Sequence, residues 1–489
     1  MLWGLGLGLG VIGSALLSIG GWQLTPQSYG YGSLGAEKVP REFLLMGPPA
    51  AMIVGGVLLL VIAWTLCARV KLTLSKAVWT AVAWGAPMLV APPLLSTDMY
   101  AYADQGWQLL HGMNPYVVGL GTDDGPFARL IRAWRGTITA YPPLALWAQA
   151  LAVLVGGSSV PTTIIALRMI SVISVVGMGV GMVMLARHTR IPAGKALWWA
   201  VLNPLTMVHL VGGGHNDAPA AAAVTMGLAL GTRRFGWLWA GLLIGVAACF
   251  KQPAILAAVP AGLVIGRFGH GAREKVHPSR MVLAVVGVSV VAVAAFALIH
   301  LISGLGYGWI NALAVPGSVR TWAPSSVILM IIGLATGAPL VLPPVWVPGL
   351  VLGIVRGLLA IGVLLLVRRW WHRPVLLVAV VLLVAALALD GLRTWYLSWG
   401  FGLLVLGAGR RTLGIAAGVI SALMIADVLH EHALFDRLGE LGVGVAVGIL
   451  VGVFVIRSLR AVGRSDRTLQ PVAAEPLASE PTSDQASST

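Results

Sequence analysis

The amino-acid sequence predicts an all-α, polytopic bundle of transmembrane helices. Three observations support this fold class: 58% of the 489 residues are apolar, only 10% are charged, and the mean hydropathy is +0.90. Soluble domains usually carry about 25% charged residues. A soluble fold of this size could not bury so much apolar surface, so we expect lipid to surround the chain.

The apolar runs are numerous enough to cross a bilayer many times. A spanning helix needs about 20 residues, and fewer when other helices surround it. Long runs lie at residues 2–20, 47–67, 77–95, 163–186, 196–211, 281–303, 345–367, 374–389, 412–428 and 440–457, and shorter ones at 217–231, 236–249, 252–266 and 398–409. Together they predict about 14 spans.

The net charge of +15 is a topology signal and does not indicate a nucleic-acid partner. The basic residues gather in short loops between apolar runs, which the positive-inside rule places in the cytoplasm. Those loops hold Arg69, Lys71 and Lys76; Arg187, Arg190 and Lys195; Arg233 and Arg234; Arg267, Arg273, Lys275 and Arg280; Arg368, Arg369 and Arg373; Arg410 and Arg411; and, after the last run, Arg457, Arg460, Arg464 and Arg467.

The alternation of inside and outside then places an acidic, aromatic loop, residues 96–140, outside the plasma membrane. Two apolar stretches, 142–157 and 326–341, break the alternation. We predict that they are re-entrant or surface-lying, because such backbone is tolerated where it lines a protein cavity. Residues 1–461 form the predicted membrane domain, and the polar tail 462–489 is predicted to be disordered and cytoplasmic.

No cofactor or metal site is predicted. The sequence contains no Walker A motif, no Cys-x-x-Cys pair and no dinucleotide-binding fingerprint. The adjacent acids Asp123 and Asp124 precede Gly-Pro and are typical of a solvated turn.

Asp98 is the first candidate functional residue, because it follows an apolar run at the predicted outer surface. An ionisable group at such an edge is costly unless it is paired or used. Asp98, Tyr102 and Gln105 fall on one face of a short helix, where a carboxylate beside aromatic rings could deprotonate a sugar hydroxyl. Asp104 is a second acid in the same helix. The alternative is that Asp98 caps a surface helix.

A second candidate site is the sequence Gly213-Gly214-His215-Asn216-Asp217, at an outer turn between two predicted spans. His215, Asn216 and Asp217 could bind sugar hydroxyls or phosphate oxygens. The alternative is a tight turn in which Asn216 or Asp217 begins the next helix.

Three cations oppose the positive-inside trend: Lys251, Arg320 and Arg393 lie near the outer membrane boundary. Lysine and arginine bind phosphate strongly, so we expect these residues to meet a lipid phosphate. Trp395 and Tyr396 follow Arg393 and are candidate substrate contacts. The alternative is interfacial snorkelling beside tryptophan.

Four motifs together resemble the GT-C glycosyltransferases, in particular the actinobacterial polyprenol-phosphate-mannose-dependent α-1,6-mannosyltransferases of lipomannan and lipoarabinomannan synthesis. The resemblance covers roughly residues 90–400. The motifs are Asp-x-Tyr-x-Tyr from Asp98, Gly-x-Asn-Pro-Tyr from Gly112, Tyr-Pro-Pro from Tyr141 and Gly-His-Asn-Asp from Gly214.

The resemblance implies a function. Asp98 would be the general base that activates the 6-hydroxyl of a lipid-anchored mannan acceptor. Mannose would come from a polyprenyl phosphate donor with inversion, and Lys251 or Arg393 would stabilise the leaving phosphate. Tyr100, Tyr102 and Tyr116 offer flat surfaces for sugar rings, and the remaining loop candidates for substrate contact are Asp104, Asn114 and Tyr141.

Two other functions fit the composition. An arabinosyltransferase of the same fold is the nearest alternative. A lipid-linked-sugar flippase or transporter is the second, but it should carry ionisable residues at mid-membrane, where only Arg168 and Arg356 are candidates. The sequence also shows no pair of interrupted helices of the transporter kind.

Overall fold

The computed structural model describes residues 1–25, 47–131, 134–189, 191–267, 276–313, 315, 321–335, 346–389, 391–431 and 437–468. Within these ranges every regular element is a helix, which confirms the predicted all-α fold class.

The first half of the chain contains nine α-helices within the described ranges. They are α1 (Leu2–Leu24), α2 (Pro48–Cys67), α3 (Leu74–Gly85), α4 (Asp98–Leu110), α5 (Pro143–Gly156), α6 (Val160–Thr189), α7 (Ala193–Ala200), α8 (Asp217–Leu230) and α9 (Gly236–Ala248).

The second half continues the bundle. Its helices are α10 (Ala258–Gly266), α11 (Pro278–Ser303), α12 (Pro324–Ala335), α13 (Trp346–Trp370), α14 (Pro374–Leu387), α15 (Ser398–Phe401), α16 (Arg410–Glu431) and α17 (Arg437–Thr468). The last helix passes the predicted tail boundary at 462, and residues 469–489 lie outside the described ranges.

Seven helices in the described ranges are long and apolar enough to cross a membrane: α1, α2, α6, α11, α13, α16 and α17. Further apolar helices of 10–17 residues, including α5, α8, α9 and α14, pack among them. The count of about 14 spans, the re-entrant assignment of 142–157 and 326–341, and the inside–outside topology stay predictions.

Glycines let the long helices approach closely. A β carbon at Gly13 of α1 would lie 2.8 Å from the Gly56 carbonyl oxygen of α2, and one at Gly56 would lie 2.6 Å from the Gly13 carbonyl. The same relation joins Gly418 of α16 to Gly448 of α17. Small residues are the usual contact points of membrane helices, because dispersion contacts rather than water exclusion drive their packing.

Two apolar runs expected to be continuous spans are interrupted, which corrects the sequence interpretation. Run 77–95 is helical only to Met88, and run 196–211 breaks after Ala200 before a π-helical turn, Thr206–Gly212. Proline explains both breaks, since Pro92 and Pro204 have no amide hydrogen for a helix. Hydropathy alone does not register this effect.

A buried arginine satisfies the carbonyl groups that these interruptions leave open. The guanidinium of Arg168, on α6, is fully buried and donates hydrogen bonds to the carbonyl oxygens of Leu89, Ala91, Pro92 and Gly212. Irregular backbone inside a membrane protein needs such partners. The two segments fixed in this way lead directly into Asp98 and His215.

Candidate active site

A cavity of about 550 Å³ lies where the start of α4 meets four other segments. Its walls include residues 137–141 at the end of the outer loop, the turn after α9, the end of α14 and the turn before α15. The sequence-predicted residues on these walls are Asp98, Tyr102, Tyr141, Lys251, Arg393, Trp395 and Tyr396.

Asp98 is the first residue of α4, and its side chain is 15% exposed. Its Oδ1 accepts a hydrogen bond from Nε1 of Trp134 at 3.1 Å. The residue that precedes the helix is Thr97, and the Asp98 amide donates to the Ser96 hydroxyl at 3.1 Å. The carboxylate therefore faces the cavity with a tryptophan partner, whereas the capping alternative would direct it at the helix backbone.

His215 lies directly behind Asp98. Gly214 has a positive φ of 60°, which glycine adopts without strain and which turns the chain into His215. The imidazole stacks on the indole of Trp395, with ring centres 3.9 Å apart. Its Nδ1 lies 3.6 Å from Oδ2 of Asp98 and 3.4 Å from the hydroxyl of Tyr102.

The imidazole of His215 is neutral at physiological pH. Burial, followed by the charges of Lys251 and Arg393, holds the pKa of His215 well below its usual 6.5. A neutral histidine does not form an ion pair with Asp98.

Lys251 and Asp217 form a buried pair beside the cavity. Nζ of Lys251 lies 3.5 Å from Oδ1 of Asp217, which also accepts a hydrogen bond from Nε1 of Trp399 at 2.6 Å. The ammonium lies 4.3 Å from the ring centre of Tyr396 and 5.0 Å from that of Tyr141. Aromatic rings and a carboxylate thus compensate much of the Lys251 charge.

Arg393 faces the cavity differently. Its guanidinium lies 5.6 Å from the ring centre of Trp134, the residue that holds Asp98. No carboxylate among the described residues pairs with it. Trp395 and Tyr396 follow in a 3₁₀ turn, Thr394–Leu397, and place their rings on the same wall.

Two tyrosines connect the loop to α4. The hydroxyls of Tyr102 and Tyr141 lie 3.1 Å apart, and their rings meet edge to face. Burial, followed by the nearby Tyr141, raises the pKa of the Tyr102 phenol well above 10, so that it remains protonated. Tyr116 donates from its hydroxyl to the Tyr141 carbonyl at 2.9 Å and supports this wall from behind.

Several predicted substrate contacts lie away from the cavity. Asp104 is fully buried, and its Oδ2 accepts from the Gly121 amide at 2.8 Å. Asn114 bonds the backbone of Tyr116 through Oδ1. Tyr100 is buried in the apolar cluster beneath the outer loop. These side chains hold the loop in place.

The three polar residues of the motif Gly213–Asp217 have different surroundings in the structure. None of the three lines the cavity: His215 contacts Asp98 from behind, Asp217 pairs with Lys251, which does line it, and Asn216 is not hydrogen-bonded to Asp98 or Lys251. Arg320 lies outside the described residues.

Some cavity residues were not identified from the sequence as site residues: Trp134, Gln252, Trp309 and Arg356. Trp134 sits in a loop stretch, Arg-Ala-Trp-Arg-Gly, that carried no motif. For Arg356 the only signal in the sequence is a lone charge within an apolar run.

The sequence is similar to those of known glycosyltransferases. The family described as "Alpha-(1->6)-mannopyranosyltransferase, N-terminal domain" matches residues 7–267, slightly more than half of the chain. The matched region includes Asp98, Trp134, His215 and Lys251, whereas Arg356 and Arg393 follow it.

Three curated relatives show the extent of the similarity. Alpha-(1->6)-mannopyranosyltransferase A of Mycobacterium tuberculosis is 31% identical over 361 residues, which cover 71% of this chain and 68% of that protein. Alpha-(1->6)-mannopyranosyltransferase A of Corynebacterium glutamicum is 30% identical over 47% of this chain and 49% of its own length. Alpha-(1->6)-mannopyranosyltransferase B of the same organism is 29% identical, over 55% and 49%. The match thus spans about half the length of the two Corynebacterium relatives.

Proposed function

The chain belongs to the alpha-(1->6)-mannopyranosyltransferase family, and from this premise we propose that it transfers mannose from a polyprenyl-phosphate-mannose donor to an α-1,6-mannan acceptor. The acceptor is the lipid-anchored backbone of lipomannan or lipoarabinomannan. The reaction takes place at the outer face of the plasma membrane and inverts the anomeric carbon. No nucleotide or metal cofactor takes part in this scheme.

The single observation that supports the proposal most strongly is the position of Asp98. One oxygen of the Asp98 carboxylate accepts a hydrogen bond from Trp134, and the other lies 3.6 Å from Nδ1 of His215, which is buried behind Asp98 and outside the cavity lining. A general base needs a fixed orientation and a free lone pair within reach of the substrate hydroxyl. In this proposal Oδ2 accepts the proton of the acceptor 6-hydroxyl while the hydroxyl oxygen attacks the anomeric carbon.

The leaving group is the polyprenyl phosphate. As the bond from the anomeric carbon to the phosphate oxygen breaks, that oxygen gains negative charge. Arg393 stabilises this charge directly. It lines the cavity beside Trp395 and Tyr396 and has no carboxylate partner among the described residues. Lys251 contributes a further positive field, which Asp217 reduces.

Aromatic side chains hold the sugars in this scheme. Tyr102, Tyr141, Trp395 and Tyr396 line the cavity and present ring faces or hydroxyls to it. Their packing against one another fixes their rotamers, which helps to keep the acceptor in a reactive orientation.

Purified protein incubated with radiolabelled polyprenyl-phosphate-mannose and a short α-1,6-mannoside tests the proposal. We expect a product longer by one mannose, cleavable by an α-1,6-mannosidase, and none with GDP-mannose as the donor. Transfer from a polyprenyl-phosphate-arabinose donor in place of the mannosyl donor would identify the related arabinosyltransferase instead. No transfer from either lipid would overturn the proposal.

A further inference from the structure

Arg356 is a charged residue in an otherwise apolar helix. It lies near the middle of α13, a helix of 25 residues. Only 11% of the most apolar stretch of this helix is buried inside the bundle. The side chain of Arg356 is exposed, and its Nε donates to the Ala388 carbonyl oxygen at 3.1 Å. Ala388 directly follows the end of α14.

A charge at this depth needs an explanation. An arginine within the apolar part of a spanning helix is costly to place in lipid, so such residues generally serve a function. A single neutral carbonyl does not balance a guanidinium. Within the described ranges, no carboxylate lies at ion-pair distance from Arg356.

The surroundings of Arg356 indicate what could balance it. Arg356 lines the same cavity as Asp98 and Arg393. The lining also includes the apolar residues Leu256, Leu313 and Leu389, of which Leu256 and Leu313 are about half exposed. The cavity thus combines apolar side chains that reach the surface of the bundle with two guanidiniums that lack an acidic partner among the described residues.

We propose that Arg356 binds the phosphate group of a polyprenyl lipid that enters the cavity from the bilayer between α13 and α14. The lipid chain lies along these apolar side chains, and Arg356 with Arg393 holds the phosphate from two sides. Guanidinium is suited to this task because its planar fork matches phosphate oxygens. This inference rests on the proposed function and adds a binding residue outside the matched N-terminal region.

Direct binding of polyprenyl phosphate, without sugar, tests the inference. The variant Arg356→Gln keeps an N–H group that can donate to the Ala388 carbonyl but removes the charge. We expect it to weaken binding roughly 10- to 150-fold, the scale of a lost charge-assisted contact. Arg356→Lys should recover part of the affinity, and the melting temperature of both variants should stay near that of the wild type.

A matched control lies on the same helix. Arg368→Gln removes an exposed charge from the last turn of α13 and should leave binding unchanged. Phosphatidylglycerol and inorganic phosphate, offered as competitors, separate a polyprenyl site from a general phosphate site, and we expect neither to displace the polyprenyl lipid.

The possible failures are distinguishable. Equal binding by Arg356→Gln and the wild type would overturn the role of Arg356 and leave the proposed function intact. Displacement by phosphatidylglycerol would also overturn it, because the site would then hold an ordinary membrane lipid. If the wild type neither binds polyprenyl phosphate nor uses its mannosyl derivative, the proposed function itself is wrong.

Discussion

Nε1 of Trp134 donates a hydrogen bond to Oδ1 of Asp98 at 3.1 Å. The contact joins the far end of the outer loop to the first residue of α4, 36 positions earlier in the chain. It leaves Oδ2 as the carboxylate oxygen that can accept a proton. Because Arg393 lies over the same indole, Trp134 also connects the candidate base to the candidate phosphate-binding residue.

Trp134→Phe keeps a ring and removes the donor. We expect mannosyl transfer to fall about 10- to 150-fold, because a hydrogen bond to a charged group contributes roughly 1.5–3 kcal/mol. Steady-state kinetics of the purified variant measure the effect. Trp107→Phe in the same loop is the control, since within the described residues its indole nitrogen makes no hydrogen bond. Equal losses in both variants would mean that aromatic packing, and not the bond to Asp98, matters.

The buried pair of Lys251 and Asp217 makes a prediction about stability. Lys251→Met alone leaves a carboxylate unpaired in the protein interior, and breaking such a pair costs about 3–5 kcal/mol. Adding Asp217→Asn removes the stranded charge while Trp399 can still donate to the amide oxygen. We therefore expect the double variant to melt at a higher temperature than Lys251→Met. A double variant that melts no higher would show that the two residues are not energetically coupled.

Asp104 should make stability depend on pH. Burial, opposed by the hydrogen bond from the Gly121 amide, raises the pKa of Asp104 from 3.8 to about 7. A raised pKa means that folding favours the protonated acid, so its stabilising contribution is present below about 3.8 and lost as the pH rises through 7.

Asp104→Asn cannot ionise and supplies the comparison for this pH dependence. Relative to the wild type, its melting temperature should rise between pH 5 and pH 8. Parallel melting curves for the two proteins across this range would contradict the assignment.

The orientation of the outer loop can be tested with cysteines. Thr122→Cys lies in the loop, and Arg233→Cys lies in a short basic turn; both positions are accessible, Thr122 and Arg233 being exposed. Gly194 is unsuitable as an inner position because a β carbon there would lie 1.9 Å from the Leu72 carbonyl oxygen. The native Cys67 and Cys249 are buried.

In intact cells, an impermeant maleimide should label the first variant and spare the second. Labelling of Arg233→Cys alone would show that the topology is inverted. Labelling of both variants would contradict the predicted inside–outside alternation of the loops.

The sequence could identify Asp98 and His215 because each stands in a local motif next to an apolar run. The sequence does not identify Trp134 as a site residue, because Trp134 is 36 positions from Asp98 and meets it only in the folded outer loop. The sequence predicts Lys251 as a phosphate-binding cation, and it does not reveal the pairing with Asp217, 34 residues earlier, because that contact depends on how α8 and α9 pack. The helix breaks at Pro92 and Pro204 could not be predicted from hydropathy, because hydropathy measures how apolar a segment is and not whether its backbone is helical. Arg168 supplies the hydrogen bonds that the irregular backbone needs at these breaks.

The central claim is that Asp98 is the general base, and Asp98→Asn tests it most directly. Asparagine is similar in size and can still accept the hydrogen bond from Trp134, so the protein should fold, insert and melt as the wild type does. It cannot take the proton of the acceptor hydroxyl, and loss of a general base typically costs at least about 10²-fold in rate.

The comparison uses polyprenyl-phosphate-mannose transfer by Asp98→Asn and by Asp104→Asn, measured side by side on folded protein. We predict that Asp98→Asn loses at least about 10²-fold while Asp104→Asn keeps most of its activity. Full activity in Asp98→Asn, or a loss confined to Asp104→Asn, would contradict the assignment of Asp98 as the base.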